Sequence, residues 1–148
     1  MNFLVIPKHF FTSEIIEKRK PLSSKARRAG WVGCNILLDT IPNSGKIFYI
    51  KDKQLESKDK VLEIWNKMSF LKENKSLESK GWLLDIIQCI ENLNKNSFTL
   101  SDIYNFEVYL KVKHPDNNNI RAKIRQQLQV LRDNRYLDFI SRGKYKLR

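Results

Sequence analysis

The chain has 148 residues, with 28 Lys and Arg against 16 Asp and Glu for a formal net charge of +12, and 41% apolar residues. That length suits one ordinary domain or two small ones, and the longest apolar runs, residues 3–6 and 31–38, fall well short of the roughly 18 residues that a spanning helix needs, so no membrane is expected. The amino terminus lacks the basic region of a secretory signal, and Cys34, Cys89, His9 and His114 assemble no zinc spacing; two reduced core thiols in a cytoplasmic protein are expected.

In chain order, residues 3–6 and 47–50 are apolar runs of strand length, and residues 34–38 supply a third. Thr12-Ser13 is placed to cap a short helix over 14–20. Val61, Ile64, Trp65, Met68 and Leu71 recur at helical spacing between charged flanks, which predicts an amphipathic surface helix. The polar stretch 72–81 has one apolar residue in ten and separates two apolar-periodic regions, as a linker would.

Beyond it, Trp82, Leu83, Ile86, Ile87, Ile90 and Leu93 predict a helix of about three turns. Thr99 and Asp102 have the spacing of a capping box, with Phe98 and Ile103 as its hydrophobic staple, so a second helix starts there. That helix carries Ile103, Phe106 and Leu110 on one face and must stop by His114-Pro115, because proline disfavours helical geometry in the residue before it. Asp116-Asn117-Asn118-Asn119 offers turn and capping side chains. In the third helix Ile120, Ile124, Leu128 and Leu131 form one apolar stripe, while the opposite face carries Ala122, Lys123, Arg125, Gln126 and Gln129. Tyr136-Leu137-Asp138-Phe139-Ile140, a turn at Arg142-Gly143-Lys144, and Tyr145-Lys146-Leu147 then predict a β-hairpin with a basic tip. Three helices followed by such a hairpin define a winged helix-turn-helix.

The charge lies in blocks. Residues 1–80 hold 16 basic and 9 acidic residues, 81–118 hold 3 and 5, and 119–148 hold 9 and 2, so a polyanion would meet two separated cationic surfaces. Arginine pairs with guanine and glutamine with adenine in the major groove, which makes Lys123, Arg125, Gln126 and Gln129 candidates for reading bases, with Ala122 small enough for close approach to a methyl group. Arg142, Lys144 and Lys146 would meet phosphate or the minor groove. The second block, Lys18, Arg19, Lys20, Lys25, Arg27 and Arg28, has no intervening acid. Trp31 follows it between Gly30 and Gly33, placed either to stack on or wedge beside a base or to anchor the loop in the core.

A magnesium nuclease of the PD-(D/E)xK kind needs an Asp and then Glu-x-Lys on a following strand. Asp39 and Glu56-Ser57-Lys58 have the letters, but residues 54–60 are polar and lysine-rich without strand character. No catalytic or metal-binding residue is therefore assigned. Ser/His/Asp, HExxH and P-loop patterns are likewise missing from the sequence.

Several blocks together resemble the carboxyl-terminal part of the Dam-replacing family of methyl-directed restriction endonucleases, the DpnI type. They are Asn2-Phe3-Leu4-Val5-Ile6-Pro7-Lys8, Arg19-Lys20-Pro21-Leu22, Ala26-Arg27-Arg28-Ala29-Gly30-Trp31-Val32-Gly33-Cys34-Asn35-Ile36, Phe98-Thr99-Leu100, Lys123-Ile124-Arg125-Gln126-Gln127-Leu128-Gln129, Leu131-Arg132-Asp133 and Arg142-Gly143-Lys144-Tyr145. The resemblance covers essentially the whole chain. It implies a type II site-specific deoxyribonuclease that cuts duplex DNA at GATC sites with N6-methylated adenine, using a nuclease domain and a winged helix that each read the site. By that likeness Trp31 belongs to the methyl-reading surface of the nuclease domain, and Arg125, Gln126 and Gln129 to the reading helix. The family's Asp, Glu and Lys metal site and its zinc-binding cysteines are expected upstream of Met1, so Mg²⁺ is expected only for the complete enzyme and no cofactor for this chain.

The expected architecture is α+β, with a partial restriction-endonuclease-like α/β region over 1–73, a linker at 74–77 and a winged helix DNA-binding domain over 78–148. The strand over 3–6 is expected to expose an apolar edge. The expected partners are double-stranded DNA, contacted by Arg27, Arg28, Trp31, Ala122, Lys123, Arg125, Gln126, Gln129, Arg142 and Lys144, and a separately encoded catalytic half. The alternatives are a winged-helix transcription regulator with no nuclease role, and sequence-independent RNA binding.

Overall fold

The first strand, β1 (Phe3–Val5), pairs antiparallel with β4 (Ile47–Lys51), placing Phe3 opposite Ile50 and Val5 opposite Ile47. Asp52 and Lys53 both take positive φ, 51° and 69°, the handedness that a two-residue hairpin turn needs. They return the chain as β5 (Gln54–Leu55), so the sheet order is β1-β4-β5 with β1 on an edge. Its Phe3 side chain is largely exposed. This is a computed structural model that describes residues 1–73 and 76–148.

The helix expected over 14–20 does not form. A single 3-10 turn, Ser13–Ile15, passes directly into strand β2 (Ile16–Lys18), and Thr12 makes no side-chain capping bond. Adjacent β-branched Ile15 and Ile16 favour extended backbone, and Leu37 N–H donates to Ile15 O at 2.8 Å, so strand pairing replaces helical bonding. β2 pairs antiparallel with β3 (Cys34–Ile36) in a separate two-stranded ribbon whose six residues are all exposed. Cys34 is therefore a surface thiol, contrary to the expected core position, whereas Cys89 is buried. Burial pushes the Cys89 thiol up to about 12.

Helix α1 (Lys58–Lys67) begins where Ser57 Oγ accepts from Lys60 N. It is shorter than its apolar periodicity suggests, because Met68 caps its end and Leu71 belongs to the 3-10 turn Ser69–Lys72 that follows, both buried in the core. Helix α2 (Leu77–Asn92) starts five residues before Trp82, capped by Ser76 Oγ accepting from Ser79 N at 3.1 Å. The helix thus extends back into the polar stretch, with Glu78 exposed and Ser79 and Lys80 half-buried. Of the expected linker, Asn74 and Lys75 lie outside the described residues.

After α2 come β6 (Ser97–Thr99), α3 (Leu100–Tyr104), α4 (Glu107–Lys113), α5 (Ile120–Asp133), β7 (Leu137–Ser141) and β8 (Lys144–Leu147). The capping box is present: Asp102 N donates to Thr99 Oγ1 at 3.2 Å, and Thr99 N donates to Asp102 Oδ2 at 2.7 Å. The single second helix expected from Ile103, Phe106 and Leu110 is instead two. Phe106 N bonds back to Ile103 O in a tightened turn, which separates α3 from α4 while Ile103 and Leu110 both stay buried. The wing gains a strand unseen in the sequence, since β6 pairs with β8 to give the order β6-β8-β7.

Trp82, Leu83, Leu84, Asp85, Ile86, Ile87, Cys89 and Ile90 are all buried, as befits a helix covered nearly all round. Phe10, Ile15, Ile41, Met68 and Leu71 from the first region join the same core cluster as Ile103, Leu110, Ile124, Leu128 and Leu131. Polar ties reinforce this contact. Glu91 accepts the N–H groups of Asn43 and Ser44 at 2.5 and 2.9 Å, and Gln88 Nε2 donates to Asp39 O. One core therefore supports both charged surfaces.

Candidate nucleic-acid interface

The four residues of the apolar stripe of α5, Ile120, Ile124, Leu128 and Leu131, are buried. This leaves Ala122, Arg125, Gln126 and Gln129 exposed and Lys123 half-buried. The Lys123 ammonium lies over the Trp82 ring at 5.9 Å. Gln127, which the periodicity leaves unassigned, is buried with the stripe.

The loop that delivers α5 is held by Lys111. Its ammonium donates to Pro115 O, Asn117 O and Asn118 Oδ1 at 2.9, 2.8 and 3.2 Å, satisfying three oxygens of one turn with three donors. Asn117 Oδ1 accepts Asn119 N–H at 2.8 Å; Asn119 itself makes no side-chain capping bond. The loop starts from another fixed point. His114 stacks on Trp82 with centroids 3.7 Å apart, and its Nε2 lies 2.7 Å from Asp85 Oδ2. Asp85 also accepts from Lys113, which lies 3.6 Å from Glu14 of the first region. Burial alone would lower the Lys113 pKa, but the hydrogen bond and charge of Asp85 outweigh it and raise the pKa above the usual lysine range. No sequence motif flags Asp85, Lys111 or Lys113.

At the wing, Gly143 adopts φ +71° and turns the chain between Arg142 and Lys144, both exposed. A side chain at Gly143 would be strained in that conformation. Phe98 stacks on Tyr145 at 5.5 Å and Phe139 meets its edge at 6.0 Å, which stiffens the hairpin. Between α5 and this hairpin lies a groove of about 330 Å³ lined by Arg125, Leu128, Gln129, Arg132, Phe139 and Tyr145. Hydrogen-bonding side chains and apolar walls meet there.

The second cationic block forms an arm. The β2–β3 ribbon continues through Arg19 N to Gly33 O and Leu22 N to Trp31 O, at 3.0 and 2.9 Å, and Arg27 and Arg28 lie exposed in the turn beyond. Trp31 is 54% exposed, which decides against the core-anchor reading. Its ring folds back over its own strand: a Cβ at Gly33, two residues on, would fall 2.9 Å from the indole. Gly33 is thus the seat that holds Trp31 outward, a role legible only once the ribbon is known.

The letters of a nuclease site lie on separate elements. Asp39 lies in a 3-10 turn at Leu38–Thr40, Glu56 is paired with Lys60 at 2.7 Å, Ser57 caps α1 and Lys58 is its first residue. These residues do not fit a Mg²⁺ site. Among the described residues no group of three or more His, Cys, Asp and Glu could hold a metal ion, and no helix is long and apolar enough to cross a membrane.

A buried helix stripe, an exposed face of cations and amides, and a basic wing turn beside it define a winged helix-turn-helix DNA-binding protein. Residues 78–147 match the family model of the Dam-replacing HTH domain, and residues 1–74 match that of the Dam-replacing family. The chain belongs to the Dam-replacing family and is a DNA-binding, restriction-related protein.

Proposed function

We propose that this chain recognises double-stranded GATC sites carrying N6-methyladenine, as the reading part of a restriction system. The observation that carries the proposal is the pairing of the exposed Arg125, Gln126 and Gln129 face, with half-buried Lys123 beside it, with an Arg142–Lys144 wing turn on one core. Arg125 is assigned to guanine and Gln126 and Gln129 to adenine, by donor and acceptor geometry. The groove beside Arg125 and Gln129, walled by Leu128, Phe139 and Tyr145, has the chemistry to receive a methyl group next to hydrogen-bonding atoms. On the arm, Arg27 and Arg28 meet phosphates and Trp31 stacks or wedges at a base. Residues 1–73 are assigned to a nuclease-like region and 78–148 to the reading domain.

Cleavage is assigned to carboxylates outside residues 1–148, because Glu56 and Lys58 are committed to the start of α1. The test compares methylated, plain and scrambled duplexes by fluorescence anisotropy, followed by incubation with Mg²⁺. Strong preference for the methylated GATC duplex without cleavage is expected. Equal binding of methylated and plain duplexes would overturn the methyl-reading assignment and favour a regulator, and cleavage by the purified chain would overturn the division of labour.

A further inference from the structure

Tyr104 closes α3 and touches two cations of the reading helix. Its hydroxyl accepts from Arg125 Nη1 at 2.8 Å, and the Arg121 guanidinium lies over its ring at 5.0 Å. Arg121 is held from the other side by Glu107 at 2.7 Å. At the opposite end of α3, Leu100 N–H donates to Gly143 O of the wing turn at 2.8 Å, and the Thr99–Asp102 box fixes the first turn. A five-residue helix therefore links the wing turn to Arg125.

We propose that Tyr104 is a positioning residue for base reading: it sets the plane of the Arg125 guanidinium before DNA arrives and ties that plane to the wing. The proposal rests on the assignment of Arg125 to guanine made above. A guanidinium presents five N–H donors in a planar fork. One spent on a half-buried tyrosine fixes the plane, and the remainder can meet guanine O6 and N7. An arginine ordered in advance loses less rotamer freedom on binding, so discrimination improves without any added contact to DNA. Sequence spacing gave no hint of this, because Tyr104 and Arg125 are 21 residues apart.

The test uses Tyr104→Phe, which keeps the ring under Arg121 and removes only the hydroxyl. Affinity is measured for methylated GATC duplexes containing guanine or 7-deazaguanine, which lacks the N7 acceptor. The wild-type chain is expected to bind the deaza duplex more weakly, and Arg125→Gln to abolish that difference. Tyr104→Phe is expected to shrink the wild-type penalty by roughly five- to tenfold, the net worth of one ordinary hydrogen bond. No penalty in the wild type would remove the reading assignment of Arg125 itself. A wild-type penalty retained in full by Tyr104→Phe would instead overturn the role of Tyr104 and leave the reading intact. Arginine side-chain ¹⁵Nε relaxation in the free wild-type protein supplies a check that needs no variant. An Arg125 side chain as mobile as exposed Arg28 would overturn the proposal.

Discussion

The two cationic surfaces carry similar charge on opposite kinds of support. Helix α5 is backed by a buried stripe, so the core fixes where its cations point. The arm of β2 and β3 has no residue of either strand buried, and its order comes from ladder hydrogen bonds and from Trp31 lying on Gly33. A two-stranded ribbon is marginally stable alone in water. Here its base is carried by Ile15, which belongs to the shared core. The difference teaches that positive charge in a sequence does not tell how precisely it is aimed. Substitutions behind α5 should therefore disturb stability and recognition together, while substitutions on the arm should disturb binding alone.

The largest expected effect strikes the shared support. Trp82→Ala removes a ring that is 1% exposed, stacks on His114 and lies beneath Lys123, and should cost about 4 kcal/mol of unfolding free energy. Urea unfolding should show one transition moved as a whole, followed equally by probes in both regions. A shift confined to the second region would break the picture of a single core. Next, Asp85→Ala leaves Lys113 and His114 partly buried without their carboxylate and should cost about 3 kcal/mol. It should also weaken DNA binding, since both neighbours start the loop that delivers α5. By contrast, the double change Arg27→Ala and Arg28→Ala should move unfolding by less than about 0.5 kcal/mol. It should lower affinity for every duplex alike and reduce the slope of log K against log salt by roughly one unit per cation removed. A sequence-dependent loss would mean that the arm reads bases.

The same contrast explains how much the sequence discloses. In the second region local signals agree with the tertiary outcome. The Thr99–Asp102 box, the Ile120, Ile124, Leu128 and Leu131 stripe and the turn at Gly143 each occur as expected, because local chemistry and core packing ask for the same residues. What the pattern misses is non-local. β6 exists only through pairing with β8, and the contact of Tyr104 with Arg125 exists only once α3 lies against α5. In the first region local signals are short and compete. Thr12-Ser13 has the letters of a cap, yet extended pairing with the strand ending at Ile36 wins over a helix at Glu14. Trp31 could not be placed from spacing because its exposure depends on the ribbon standing clear of the core, which Gly30 and Gly33 do not encode.

The smallest effect separates the regions by pH. His9 is buried in the first region, its Nε2 has no hydrogen-bond partner among the described residues, and its pKa is lowered by burial and by the charges of Lys72 and Lys80. The neutral ring is favoured in the folded chain, so the unfolded chain takes up a proton first, at about pH 6.5. Stability from His9 is therefore complete above that pH and is lost as pH falls through it toward the lower folded value. In the second region Asp102 is held at about 2, first by the backbone N–H of Thr99, then by the Thr99 hydroxyl and by Lys95. Its contribution is complete above the unfolded carboxylate value of about 3.9 and is lost as pH falls toward about 2. Urea midpoints measured from pH 7.5 to 5.5 should thus decline more in the wild type than in His9→Gln, with Asp102→Asn parallel to the wild type over that range. Below pH 4 the order should reverse: Asp102→Asn should flatten the decline and His9→Gln should follow the wild type. Identical slopes for wild type and His9→Gln above pH 5.5 would show that His9 is not the group behind the decline in that range.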